Sequence, residues 1–229
     1  MTYKTDEQIK QEVEDELRFD SRVEETEVGV TVHKAAVTLT GTVSSYAKKL
    51  AAQEAAHRVR GVLDVANDLQ VKLPGSLLRT DSDIAEAVRR ALEWDVLVPS
   101  ERIQSTVSAG WVTLTGAVDY LREREDAERA VRYLTGVRGV YNRLVVAEQP
   151  LDRDEVRSVI EDALERRADR EAARIKVGVE DNIVTLTGAV HSWAEKRAII
   201  GAVGHTPGVA LVHDHLRIEP QWAAMSAAR

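Results

Sequence analysis

The sequence contains no cysteine, so disulfide bonds, thiolate catalysis and cysteine-type zinc sites are excluded, and a lipid-modified N-terminal cysteine is not expected. No run approaches the roughly 18 apolar residues that a membrane-spanning helix needs. Residues 1–7 lead directly into an acidic helical pattern, without the basic and apolar segments of an export signal. These absences predict a cytoplasmic protein that is not transmembrane.

The chain also lacks an excess of positive charge, since its formal net charge is −7 over 229 residues. This balance argues against a nucleic-acid partner, because nucleic-acid binders usually carry a basic surface. Motifs of catalysis are missing too: we find no HExxH, no phosphate-binding glycine loop, no paired carboxylate motif and no Ser-His-Asp order. We therefore predict a protein that is not an enzyme and that needs no cofactor or metal.

The most informative feature present is an internal repeat. The string Val-Thr-Leu-Thr-Gly starts at positions 37, 112 and 184, so its copies follow one another at a nearly constant interval. Flanking apolar and glycine positions align at the same offsets over about 66 residues. We predict three repeats at residues 1–72, 77–147 and 151–219, followed by a tail at 220–229 that is expected to be disordered.

Each repeat begins with an apolar stripe at i, i+4 and i+8, which is typical of an amphipathic helix. The stripes are Ile9, Val13 and Leu17 in repeat 1, Ile84, Val88 and Leu92 in repeat 2, and Val156, Ile160 and Leu164 in repeat 3. An aspartate precedes each stripe at a position suited to capping free backbone N–H groups: Asp6, Asp81 and Asp152.

Strict alternation of apolar and polar residues follows, which predicts two paired strands with one buried face. The turn between them carries Ala35, Gly110 and Asn182 in the three repeats. Glycine and asparagine tolerate positive φ in a tight hairpin whereas alanine does not, so the first hairpin is expected to use a different turn. A second, alanine-rich helix and a last alternating strand complete the unit.

The predicted fold class is therefore α+β: three tandem αββαβ modules, each a three-stranded sheet with two helices on one face. Because a unit of about 66 residues buries only a marginal core, we expect the repeats to pack on one another. Six glycines recur at strand and helix ends, where a bulge, a close approach or a helix end suits glycine, and they are expected to be structural. They are Gly41, Gly116, Gly188, Gly61, Gly136 and Gly208.

The Val-Thr-Leu-Thr-Gly-x-Val strand, the alanine-rich helix and the Gly-Val-x-x-Val-x-Asn-x-Leu ending resemble the BON (bacterial OsmY and nodulation) domain family. The match is closest in repeat 2, at residues 110–118 and 136–144, and it departs at Ala35, at Pro207 and at Asp214. The resemblance implies small adaptor or binding domains, often of envelope-stress proteins, with proposed association to anionic phospholipid. Many relatives are exported, so the periplasm is the alternative location.

Two surfaces are candidates for binding. The segment Trp94, Val96, Leu97 and Val98 suits shallow insertion into a membrane or packing against a partner. The sheet face opposite the helices is predicted to form an interface with a neighbouring repeat, a second chain or a ligand. Its candidate residues are Trp111, Thr113, Tyr141, Arg143, Ile183, His213 and His215. His213 and His215 lack a third ligand, so a zinc site is not predicted.

Our leading hypothesis is a non-catalytic BON-domain binding or adaptor protein, related to osmotic or envelope stress, that associates weakly with anionic phospholipid or another protein. A second hypothesis is a cytoplasmic sensor for potassium or a small ligand, which the acidic balance and the absent export signal favour. A third is a structural homo-oligomer in which open sheet faces pair between chains.

Overall fold

The computed structural model describes residues 4–147, 158, 175–180, 182–204, 206 and 208–219. The described strands form three separate sheets, one in each repeat, so the predicted α+β fold of three small modules is confirmed. The expected first helix of repeat 3, Asp152, Pro207 and the tail at 220–229 lie outside the described residues.

Repeat 1 has the predicted order of elements, with its last strand divided in two. Its elements are α1 (Asp6–Phe19), β1 (Val28–His33), β2 (Ala36–Val43), α2 (Tyr46–Arg58), β3 (Asp64–Asn67) and β4 (Gln70–Val71). Strand β2 is central: it pairs antiparallel with β1 and parallel with both β3 and β4. The parallel connection passes through α2, as a crossover between parallel strands requires.

Repeat 2 repeats this topology with an unbroken last strand. Its elements are α3 (Asp81–Trp94), β5 (Ile103–Ser108), β6 (Trp111–Val118), α4 (Leu121–Val131) and β7 (Gly139–Val146). Strand β6 pairs antiparallel with β5 and parallel with β7, and the register places Trp111 opposite Gly139 and Thr113 opposite Tyr141.

The described part of repeat 3 follows the same pattern. Its elements are β8 (Ile175–Glu180), β9 (Ile183–Val190), α5 (Trp193–Gly204) and β10 (Leu211–Ile218). Strand β9 lies between antiparallel β8 and parallel β10.

Each core lies between the helices and one face of the sheet. The apolar stripes of α1 and α3 are at most 2% exposed, as the helical periodicity predicts. Four alanines of α2 are also buried, which lets this helix approach the sheet closely: Ala51, Ala52, Ala55 and Ala56. The described repeats are therefore built alike around small, separate cores.

The prediction that aspartates cap the first helices is wrong for repeats 1 and 2. Thr5 and Thr80 are the caps, and each forms a capping box with the residue three positions later, Gln8 or Asp83. Asp6 and Asp81 instead reach the β-hairpin of their own repeat. Their carboxylates therefore hold a turn that lies much further along the chain.

The expectation of a different turn in the first hairpin is also wrong. Lys34 and Ala35 both adopt positive φ, 50° and 62°, as Ala109 and Gly110 do in repeat 2. The carboxylate of Asp6 accepts the backbone N–H groups of Lys34 and Ala35 at 2.8 and 2.9 Å. These two hydrogen bonds offset the steric cost of positive φ at non-glycine residues, which is why alanine is tolerated here.

The glycine that ends the repeated pentapeptide is required by a close approach between strands. Gly116 has φ +133°, and a Cβ built on it would lie under 3.0 Å from the carbonyl oxygen of Arg102 on the neighbouring segment. Gly41 makes the same approach to Glu27. A backbone atom cannot move aside as a flexible side chain can, so both positions are restricted to glycine.

Candidate functional site

The loop after α3 carries the most exposed large apolar side chains among the described residues. Trp94 is 90% exposed, Val96 95% and Leu97 45%. Val98, which the sequence placed with them, is only 7% exposed and packs in the core of repeat 2. The candidate surface therefore consists of three residues, and we call Trp94, Val96 and Leu97 the apolar loop.

Two hydrogen bonds shape the turn of the apolar loop. The side chain of Asp95 accepts the N–H of Leu97 at 3.0 Å, and the carbonyl of Asp95 accepts the N–H of Val98 at 3.0 Å. Val98 anchors the far end of the loop in the core. The exposed side chains are thus displayed by a short, hydrogen-bonded turn.

Repeat 1 presents an aromatic ring at the equivalent place, which the sequence analysis missed. Phe19 ends α1 as Trp94 ends α3, and it is 84% exposed. The repeat offset could have revealed this pair, because it maps one residue directly onto the other. The neighbouring residues differ, since Ser21 and Arg22 stand where repeat 2 has Val96 and Leu97.

The open sheet face of repeat 2 carries a second aromatic group. Trp111 and Tyr141 are 40% and 50% exposed and stack with ring centroids 5.0 Å apart. Thr113 beside them is partly buried, and Arg143 is exposed. Gly139 lies under Trp111, because a Cβ at this position would overlap the indole ring. The two aromatic residues were predicted from the sequence, but the role of Gly139 was not.

The open face of repeat 3 is more polar. Ile183 is partly buried, while His213 and His215 are exposed with ring centroids 6.4 Å apart. Asp214 points to the opposite side, where its carboxylate pairs with Lys196 at 2.8 Å. Within the described ranges, no group of three or more His, Asp or Glu side chains could hold a metal ion.

A depression lies at the ends of β9 and β10 and is lined in part by His215, Arg217 and Glu219. It is open to solvent and shows no convergent set of buried polar groups. Among the helices that the structure describes, none is long and apolar enough to cross a membrane.

Three repeated modules, each with a three-stranded sheet, and exposed apolar groups on two surfaces define a repeat protein of small α+β domains. The chain belongs to the BON domain family, whose sequence model matches residues 5–72, 80–148 and 152–220. The chain is 30% identical over 143 residues to the osmotically-inducible protein Y of Escherichia coli (strain K12), covering 61% of this chain and 71% of that protein.

Two solved structures of CdsD, a structural protein of the type III secretion system of Chlamydia trachomatis, are also similar to the chain. Each is 12% identical; the alignments cover 92% and 95% of this chain and 96% of each CdsD chain. The TM-scores are 0.26 and 0.28, and a likeness at this level indicates nothing about function.

Proposed function

We propose that the protein is a non-catalytic BON-domain binding protein of the osmotic or envelope-stress type, which associates weakly with anionic phospholipid through the apolar loop. The observation that carries this proposal is the exposure of Trp94 and Val96, at 90% and 95%, on a turn fixed by Asp95. Similarity to a protein named for osmotic induction supports the stress assignment.

The size of the apolar loop fits weak, reversible membrane binding. Fully burying one large apolar side chain contributes about 1.5–3 kcal/mol, and the loop offers three that insertion would bury in part. A total on the order of 3–5 kcal/mol resembles the marginal anchoring that a single acyl chain gives. Tryptophan is also the residue best suited to the headgroup region, since its ring is apolar and its N–H can remain hydrated.

Arg90 is the residue that would attract anionic lipid, and it does so against the carboxylates of Glu93 and Asp95, which flank Trp94. Arg90 lies one helical turn before Trp94, is paired with Glu86 at 3.4 Å, and both side chains are 69% exposed. Such an exposed pair contributes little to stability, so the guanidinium can exchange its partner for a lipid phosphate. The attraction is expected to fall as salt is added, because exposed charges are screened.

The test is flotation of the full chain with phosphatidylcholine vesicles and with phosphatidylglycerol-containing vesicles, at low and moderate salt. We expect salt-sensitive flotation with the anionic vesicles, and its loss in the double variant Trp94→Ser, Leu97→Ser. Flotation that is unchanged in this variant would refute the apolar loop as the contact.

A matched control is available in the same repeat. Val145 is 64% exposed on the open sheet face, so Val145→Ser removes a comparable apolar group elsewhere. We expect this variant to float like the unmodified protein. If flotation decreased equally in the two variants, the protein would bind vesicles through nonspecific hydrophobic contacts and not through a defined membrane-binding loop.

We further propose that the stacked pair Trp111 and Tyr141 forms part of a protein-contacting face, either for an adaptor partner or for a second copy of the chain. The exposure of both rings on an open sheet supports this proposal. A concentration-dependent mass in light scattering, abolished by Trp111→Ser, is expected for self-association. A monomeric mass at all concentrations would leave only the adaptor role.

The potassium-sensor hypothesis is tested in the same preparation. Melting temperatures that differ between potassium and sodium at equal ionic strength, with no flotation, would favour it over lipid association. We keep the cytoplasm as the predicted location and the periplasm as the alternative, and fractionation of cells expressing the native gene distinguishes the two.

A further inference from the structure

The first residue of each second helix contacts another repeat, and the three contacts are equivalent. Helices α2, α4 and α5 begin at Tyr46, Leu121 and Trp193, which the repeat offsets map onto one another. The residues that they reach also occupy one equivalent column, at the end of the second helix: His57, Arg132 and Gly204.

Repeat 1 contacts repeat 2 through Tyr46. Its side chain packs on the edge of the repeat 2 core, and its phenol lies close to the backbone of Val140. Glu128, Arg132 and Tyr133 of repeat 2 also surround it, and burial raises the pKa of the phenol. Tyr46 therefore belongs to repeat 1, but its side chain is surrounded by residues of repeat 2.

Repeat 2 contacts repeat 3 through Leu121. The side chain is 7% exposed, and a Cβ built on Gly204 would lie 3.2 Å from its Cδ2 atom. Ala210 and Val212 of repeat 3 pack against the same repeat 2 core. Val212 is equivalent to Val140, so the second contact uses the same two elements as the first.

Repeat 3 contacts repeat 1 through Trp193. Its indole stacks on the imidazole of His57, with ring centroids 4.1 Å apart and an interplanar angle of 21°. This contact joins the last repeat to the first and returns the series to its beginning. The three head-to-tail contacts form a closed series because the third one returns to repeat 1.

We propose that the three repeats close into a head-to-tail ring with pseudo-threefold symmetry, and that the stack of Trp193 on His57 is a latch that opens when His57 is protonated. The other two contacts have no histidine in these columns, since Arg132 and Gly204 replace His57. Acid therefore releases one contact of the three, converting the ring into an open chain of folded repeats. This inference is independent of lipid binding.

The charged groups around His57 act in both directions on its protonation, with Arg197 opposing it more than Glu54 favours it. On α5, Arg197 acts on the imidazole, and Lys196 lies 5.4 Å from the centre of the Trp193 ring. On α2, Glu54 favours the protonated form, but it is also paired with Arg22 at 3.0 Å. The residue after His57 is an arginine, which adds a second cation to α2.

Two acidic side chains near the end of α1 face α2, and both form ion pairs with Arg58. Arg58 pairs with Glu16 at 2.6 Å and with Asp20 at 2.9 Å. Protonating His57 therefore adds a charge beside Arg197, and it does so within the stack on Trp193.

Burial of the imidazole, aided by Arg197, lowers the pKa of His57 from 6.5 to about 4 in the closed ring. The open state binds the proton more readily, so closure is at full strength above pH 6.5 and weakens as the pH falls towards 4. Allowing for the partial exposure of the ring, we expect the closed-to-open ratio to fall roughly tenfold to a hundredfold.

The absence of native cysteine makes site-specific labelling of the full chain direct. Thr31, Thr106 and Lys176 are exposed strand residues of repeats 1, 2 and 3. Spin labels on Thr31→Cys and Lys176→Cys report the latch, and labels on Thr31→Cys and Thr106→Cys report the contact between repeats 1 and 2. Distances are measured by pulsed electron resonance from pH 7.5 to pH 4, with far-ultraviolet circular dichroism confirming that the repeats remain folded.

We expect the distance between repeats 1 and 3 to lengthen and broaden between pH 6.5 and 4, while the distance between repeats 1 and 2 stays constant. His57→Phe retains an aromatic stack without a titrating group, so it should remain closed at pH 4.5. Trp193→Ala should be open at pH 7.5. A latch distance that is insensitive to Trp193→Ala would overturn the ring, and acid opening that persists in His57→Phe would overturn the role of His57.

Discussion

Gly116 offers a direct test of why the repeated pentapeptide ends in glycine. In the variant Gly116→Ala, the new Cβ would lie under 3.0 Å from the carbonyl oxygen of Arg102, and the backbone would keep a φ of +133° that alanine disfavours. Overpacking in a filled site costs about 1–3 kcal/mol. Backbone strain of this kind adds about 1–3 kcal/mol, so we expect a loss of about 2–6 kcal/mol.

This loss is large relative to the module that bears it. A domain of about 70 residues has a free energy of unfolding of roughly 3–10 kcal/mol. Repeat 2 of the variant should therefore unfold at much lower urea concentration than the rest of the chain, giving an early transition in circular dichroism. Because Trp111 lies on the same strand, its fluorescence should change in that early transition.

A second glycine provides the control. Gly201 lies within α5, and a Cβ at this position meets nothing within 4 Å. The variant Gly201→Ala should be neutral or gain up to about 1 kcal/mol from helix propensity. A loss below about 0.5 kcal/mol in Gly116→Ala, or similar losses in both variants, would refute the argument from close approach.

Three further predictions concern single contacts. The pKa of Asp6 is lowered by the backbone N–H groups of the first hairpin turn, so the stability advantage over Asp6→Ala should be complete at pH 7 and disappear as the pH falls below 3.8 in acid denaturation. Val98→Ala should cost about 1–3 kcal/mol in urea titration because the residue is in the core, yet leave vesicle flotation unchanged. A double-mutant cycle on Trp111 and Tyr141 should give a coupling of about 0.5–1.5 kcal/mol, and additive losses would show that their stacking contributes nothing.

The elements that followed from the sequence are those with a local period. The stripe Ile9, Val13 and Leu17 is buried as the spacing of a helix requires, and the strands alternate as expected. The repeat made this interpretation stronger, since three copies gave the same pattern in register. The open face that holds Trp111 and Tyr141 followed from the same alternation, because successive strand residues point to opposite sides.

The errors arose where a side chain finds a partner far along the chain. Asp6 has the composition and position of a helix cap, but Thr5 precedes it and takes that role, and the carboxylate is used at the distant hairpin turn. The apolar run that ends in Val98 looked uniform in sequence. Its last residue is buried while Val96 is exposed, because the turn at Asp95 directs them to opposite sides.

The sequence by itself determined the number of repeats and, for the described elements, their order and which face is buried, because these depend on periods of two and 3.6 residues within a short window. Only the tertiary structure decided which turn Asp6 stabilises, how far Trp94 projects into solvent and that Trp193 meets His57. The last of these contacts joins the two ends of the series of repeats. The geometry of this contact depends on how whole modules pack against one another. Many residues along the chain determine that packing, so no local sequence pattern predicts it.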